Sequence, residues 1–189
     1  MQFVLTAQPF ILTSESPSAA GPHGIDLDTG KFSTIMMAIL LRPKSTGVVR
    51  IRSSNPSDPL DIDLNTLSDP SDWNVLRKAI RLSLALVKEM RALGYPATDY
   101  RVPADASDAA IDKHILRQAR TTYHYSSTCR MAPENDEKPG VVDDELRVHG
   151  VKGLRVADSS IFPQIPATHL QAPVVMVAEK CAELIKATW

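Results

Sequence analysis

No charge of one sign dominates this sequence. Its 21 Lys and Arg stand against 22 Asp and Glu, and a net charge of -1 gives no electrostatic reason to bind nucleic acid or an anionic membrane surface. Cysteine is scarce. Cys129 and Cys181 are too few for a disulfide framework, and neither lies in a metal-binding Cys or His spacing, so both are expected as thiols of a reducing compartment, with no metal. No apolar run approaches the roughly 20 residues that span a bilayer. The N-terminus also lacks the basic region of a signal peptide, and Gln8 and Pro9 interrupt its apolar start. These absences leave small-molecule or protein partners and a cytoplasmic location as the expectation. Internal repeats and a regular βαβ alternation are absent too, and the mixture of strands and helices points to an α+β fold.

What is present reads as a series of short elements. Residues 13 to 33, rich in Ser, Pro and Gly, read as a surface loop. "STIMMAILL" (33 to 41) and "GVVRIRS" (47 to 53) are strand-like, and "RPKSTG" between them suggests an antiparallel hairpin. After a Pro- and Asp-rich loop with at most a short strand at Asp61 to Leu64, Leu76, Ile80, Leu84 and Val87 recur at helical spacing from Trp73 to Leu93. Asp69 and Asp72 favour the start of that helix, and Gly94 with Pro96 stops it. A more polar helix is expected over Ser107 to Arg120, capped by Ser107 or Asp108, followed by a short strand at "TTYHYSS". "VVDDELRVHG" and "GLRVADSS" read as two further strands, with Leu154, Val156 and Ala157 as buried positions. The last helix, about Gln171 to Ala187, sets Val174, Val177, Ala178, Cys181, Leu184 and Ile185 on one face.

Two histidines stand out. His124 lies in "TYHYSSTCRMAP" between Tyr123 and Tyr125, where imidazole fills a structural role at least as readily as a catalytic one. His169 lies in "PQIPATHLQAP", just before the last helix. Thr168 and Gln171 there have the spacing of a capping box, which would leave His169 a plain loop residue. Alternatively, unpaired helix N–H groups bias a nearby imidazole toward its neutral form, able to act as a base or hydrogen-bond partner. His23, His114 and His149 read as exposed loop, helix and turn residues.

"HYSSTCRM", "VVDDELRVHGVKGLRVADSSIFPQIPATHLQAP" and "VVMVAEKCAELI" resemble the C-terminal signature of the glucose-methanol-choline (GMC) oxidoreductases, most closely the fungal aryl-alcohol oxidase and alcohol dehydrogenase branch. "LLRPKSTGVVRIRSSNPSDPLDIDLNTLSDPSDWNVLRKAIRL" is similar to the family's upstream substrate-domain segment. The resemblance implies an antiparallel substrate-domain sheet with packed helices, plus the C-terminal strands and helix of the FAD domain, without a complete Rossmann unit. It implies an irregular segment over 1–32, a substrate-domain part over 33–120 and a catalytic-histidine segment over 121–189, forming one compact unit. His124 falls on the histidine that accepts the substrate hydroxyl proton, and His169 on its partner. Asp158 and Ser159 fall on the segment that approaches the flavin phosphate and ribityl chain, and Leu170 and Gln171 on the helix start facing the flavin ring. Tyr123 and Tyr125 suggest an aromatic or apolar substrate, although such residues as often pack a core.

The sequence departs from the family in two ways. Ser127 stands where glycine is usual and Tyr125 where proline is frequent, so the backbone beside His124 could differ. None of the eight glycines forms a Gly-x-Gly-x-x-Gly turn, the usual cradle of the FAD pyrophosphate. Three readings therefore stay open: an alcohol-oxidising portion that needs a separate FAD-binding half, a flavin-free enzyme using the same pocket for dehydration, isomerisation or cyclisation, and a non-catalytic remnant. Surface that such a half would cover is expected to drive homo-oligomerisation or a complex with it.

Overall fold

The computed structural model describes residues 8–12, 36–95, 99 and 102–188. In chain order the elements are β1 (Gln8–Leu12), β2 (Met36–Leu40), β3 (Val48–Arg50), β4 (Asp61–Asp63), α1 (Pro70–Ala92), α2 (Asp108–Gln118), a 3-10 turn (Ser159–Ile161) and α3 (Gln171–Thr188). The fold is α+β, with small sheets and separate helices. The chain divides into two compact units. One contains β1 from Pro9, β2 and Pro70–Thr121; the other contains Leu41–Asp69 and the chain from Thr122 onward.

In the first unit β1 pairs with β2, and α1 packs on β2 and on α2. The apolar stripe of α1 works as its spacing requires: Leu76 and Ile80 are buried, as are Ile111 and Ile115 of α2. Gly94, in the left-handed region at φ +88°, ends α1. Its N–H donates to the Arg91 carbonyl (2.9 Å) and the Tyr95 N–H to the Met90 carbonyl (3.1 Å), a Schellman closure that satisfies two terminal carbonyls. At α2 the Ser107 hydroxyl accepts from the Ala110 N–H (3.3 Å), so Ser107 is the cap. Arg77 of α1 forms a two-pronged fork on Asp112 of α2, both contacts at 2.7 Å, and this fork holds the Asp112 carboxyl below its usual range.

His114 is buried rather than exposed, because it follows Ile111 by three positions on the inward stripe of α2. Burial pushes its imidazole pKa down. The folded state then takes up fewer protons than the unfolded one just below the free-histidine value of about 6.5, so stability is full above that pH and falls as pH drops through it. We expect the thermal midpoint to decrease between pH 7 and pH 5, and the decrease to shrink in His114→Gln. Melting curves at the two pH values check this.

The second unit overturns several strand readings. β3 does not form a hairpin with β2; it pairs antiparallel with β4, in the register Val48↔Asp63, Val49↔Ile62 and Arg50↔Asp61. Gly47 permits this approach, since a Cβ there would lie 2.2 Å from the Asp63 carbonyl oxygen. "TTYHYSS" is no strand: Tyr123 (φ +61°) and Ser127 (φ +70°) sit in left-handed conformations that break an extended run. "VVDDELRVHG" and "GLRVADSS" form isolated bridges rather than strands, Met131↔Val142, Val142↔Val148 and Arg147↔Arg155, because turns at Leu146 (φ +65°), Gly150 and Gly153 interrupt them. Leu154 is half exposed rather than buried, while Val156 and Ala157 do pack against the core. That core is Val142, Leu146, Ile161, Phe162, Ile165, Leu170, Val177 and Cys181. Ile185, expected on the buried face of α3, is exposed. Both cysteines are free. The irregular segment over 1–32 lies outside the described residues except at β1, where "QPFIL" is extended; His23 also lies outside them. No helix among the described residues is long and apolar enough to cross a membrane.

Candidate active site

The chain around His124 is irregular yet tightly tethered. The N–H groups of Ser127, Cys129 and Met131 donate to the carbonyls of Ser159, Ser160 and Ile161 at 3.2, 2.9 and 2.8 Å, lacing 127–131 onto the 3-10 turn. The Ser159 hydroxyl adds a bond (3.1 Å) to the carbonyl of Tyr125, the residue next to His124. The turn is fixed in its own right by Asp158, whose carboxylate accepts from the Ser160 N–H (2.7 Å) in the manner of a helix cap. Ile161 and Phe162 then anchor the assembly in the core.

His169 is positioned from the other side. Ile165 and Leu170 are buried, so the residues between them bow outward and leave His169 exposed. Leu170 rather than Thr168 precedes the first residue of α3, so the Thr-x-x-Gln capping box does not form. The Val174 N–H donates to the Leu170 carbonyl (3.0 Å), whereas the first N–H groups of α3 have no intrahelical acceptor.

The two histidines, 45 positions apart, meet. His124 Nε2 lies 2.7 Å from His169 Nδ1, and the rings are edge to face, with centroids 4.9 Å apart and planes at 80°. A nitrogen pair at that distance shares one proton: one ring donates and the other accepts. Burial first and the neighbouring His169 second hold the His124 imidazole below its ordinary pKa, which favours its neutral form. Such a pair offers a substrate oxygen one N–H donor and one bare nitrogen.

Of the other residues singled out in the sequence, Tyr123 projects into solvent at 79% exposure and Tyr125 is half buried. Asp158 and Gln171 are exposed, Ser159 is half buried and Leu170 is a core residue. Among the described residues no group of three His, Cys, Asp or Glu side chains could hold a metal ion. Two features escaped the sequence reading. Arg130 Nη2 and Ser160 Oγ are buried without a hydrogen-bond partner among the described residues, on the two segments that are laced together. Buried donors of this kind are costly to leave unpaired. Their only sequence signal is a charged residue between Cys129 and Met131 and a second serine after Asp158.

The model of the GMC oxidoreductases matches residues 43–178. The chain belongs to the GMC oxidoreductase family. An oxygen-dependent choline dehydrogenase of Yersinia pseudotuberculosis is 34% identical over 94% of this chain. Among solved structures, an FAD-dependent oxidoreductase from Chaetomium thermophilum aligns with a TM-score of 0.71 and 31% identity over 82% of this GMC chain, and a fungal aryl-alcohol oxidase with 0.71 and 31% over 94%. The chain spans 30% of the length of the choline dehydrogenase and 27% of each of the two structures.

Family membership gives the left-handed backbone at Ser127 a context. The resemblance of "HYSSTCRM" to the family motif implies glycine at this position, and the φ of +70° is the conformation glycine adopts without penalty. Ser127→Gly is expected to raise stability by about 1 kcal/mol, because it relieves the Cβ crowding of a left-handed residue and gives up only a marginal 3.5 Å hydroxyl contact with Ser126. Urea unfolding of the two proteins measures the difference.

Proposed function

We propose that this GMC chain carries the substrate-oxidising face of an FAD-dependent alcohol oxidoreductase, with His124 as the base and His169 as its partner. The 2.7 Å contact between the two imidazoles is the observation that carries the reading. A primary alcohol inserted between the rings would accept the N–H of one through its oxygen and donate its O–H to the bare nitrogen of the other. As the carbinol carbon loses hydride, the hydroxyl proton passes to that nitrogen, while the remaining N–H stays on the forming carbonyl oxygen. His124 suits the role of proton acceptor because its burial keeps it neutral.

The donors present fit the ring end of a flavin. The unfilled N–H groups at the start of α3 near Leu170 and Gln171, the orphaned Ser160 hydroxyl and Arg130 guanidinium, and the Asp158–Ser159 turn are groups that call for an acceptor-rich neighbour. FAD, when bound, supplies the hydride acceptor. The ADP end would have to be held elsewhere, since these residues hold no Gly-rich turn; we assign it to polypeptide beyond the 189 residues, in the same chain or in a partner. Tyr123 and Tyr125, flanking the base, would contact an aromatic or apolar part of the alcohol.

The test is a spectroscopic titration of the chain with FAD, followed by anaerobic addition of benzyl alcohol or choline. Bleaching of the flavin bands on alcohol addition is the expected result. A flavin that binds and stays oxidised with every alcohol would overturn the assignment of the histidines.

A further inference from the structure

Apart from the histidine pair, the turn "RVHGVKGLR" encloses a cleft of ≈ 400 Å³ lined by Asp143 and by residues 147 to 155. It shares no residue with the site above. Its walls carry Arg147, Lys152 and Arg155, with one carboxylate, Asp143. That carboxylate is already occupied: it accepts from Arg147 Nε (2.8 Å) and from the N–H groups of Glu145 and Arg147 (2.9 and 2.8 Å). Arg147 is likewise consumed, since its Nη1 also reaches Glu145 at 3.1 Å. Among the described residues Arg155 spends only Nε, on the Glu145 carbonyl (3.0 Å), so its two Nη groups remain available, and Lys152 has no partner there. The cleft wall therefore presents two cationic side chains with donors to spare, Lys152 and the Nη groups of Arg155.

The backbone reinforces the shape. Gly150 and Gly153 both have φ of +74° with open space where a Cβ would stand, so glycine is required there for the chain's path rather than for room. The turn is closed by the Val148 N–H on the Leu154 carbonyl (3.0 Å) and the Val151 N–H on the Val148 carbonyl (3.2 Å). Val151 and Leu154, each about half exposed, add an apolar wall beside the cations. His149 Nε2 faces the Ala132 carbonyl (2.9 Å), and because a carbonyl only accepts, that nitrogen holds the ring proton.

We propose that this cleft binds the phosphate group of a small phosphate monoester, with Lys152 and Arg155 on the phosphoryl oxygens and the ester's apolar portion on Val151 and Leu154. A concave site of this volume suits a small molecule, and two cations beside a compact apolar wall favour a dianion with an apolar tail over a monoanion.

Isothermal titration of the full chain with phenyl phosphate tests the site, with benzoate as the carboxylate comparison. Saturable one-to-one binding of phenyl phosphate, tighter than benzoate, is expected. Lys152→Gln should weaken it about tenfold, the lower range of a charge-assisted hydrogen bond, while leaving the melting curve unchanged because the side chain is exposed. His124→Ala should leave binding intact, which separates this site from the flavin assignment. Absence of saturable binding, equal affinity for benzoate, or full affinity in Lys152→Gln would each overturn the proposal.

Discussion

Replacing His124 with alanine is expected to lower kcat for alcohol oxidation by about 10²–10⁴-fold in the flavin-loaded protein, the range of a positioned general base. The pH profile is the sharper reading. His124 must be neutral to accept the hydroxyl proton, so activity should rise with pH and level off with a midpoint below the ordinary histidine value, the direction set by burial and by the adjacent His169. In His169→Asn the contribution of the second imidazole disappears, and the midpoint should move upward toward the free value. Steady-state rates over pH 5 to 9 for the three proteins distinguish this from a structural role of His124, which would lower activity without moving the midpoint in His169→Asn.

The second large effect is on stability. Ile161 is 3% exposed in the core, and Ile161→Ala should cost about 2–5 kcal/mol through lost burial and the cavity left behind. The damage should extend to the histidines, because the Ile161 carbonyl accepts from Met131 and so closes the lacing between the two segments. Urea unfolding gives the magnitude. Nitrogen-15 spectra of the imidazoles report whether the 2.7 Å pair survives; an intact pair in a variant destabilised by this much would show that the lacing does not depend on the core beneath it.

The helices were legible because each is decided locally. Leu76 and Ile80 in α1, Ser107 at the start of α2, and Val177 and Cys181 in α3 stand where spacing and capping chemistry place them. The positions of β2, β3 and β4 were legible too, but their pairing was not, since partners are chosen by distant residues. β3 looked ready to pair with β2, yet it pairs with β4, and nothing in the intervening turn residues distinguishes the two outcomes. Around His124 and Gly150 the alternating pattern suggested extended chain, but single left-handed residues turn it, and only Gly150 and Gly153 announce themselves by residue type; Tyr123, Ser127 and Leu146 do not. The meeting of His124 with His169 was legible only through family resemblance, because periodicity says nothing about residues so far apart. The orphaned donors of Arg130 and Ser160 could not be read at all, since lacking a partner is a property of packing.

The two imidazoles are mounted unequally. His124 directly precedes a segment fastened at four points to the 3-10 turn, whereas His169 rides on an outward bow anchored at its buried ends, Ile165 and Leu170, and closed on itself by the Thr168 N–H on the Pro166 carbonyl (2.8 Å). Parting the rings to admit a third atom would thus displace the bow more readily than the laced segment. If His124 is the base, as proposed, it is the fixed jaw and His169 the compliant one, and alcohols of different girth would be accommodated by displacement of the bow while the His124 nitrogen keeps its place.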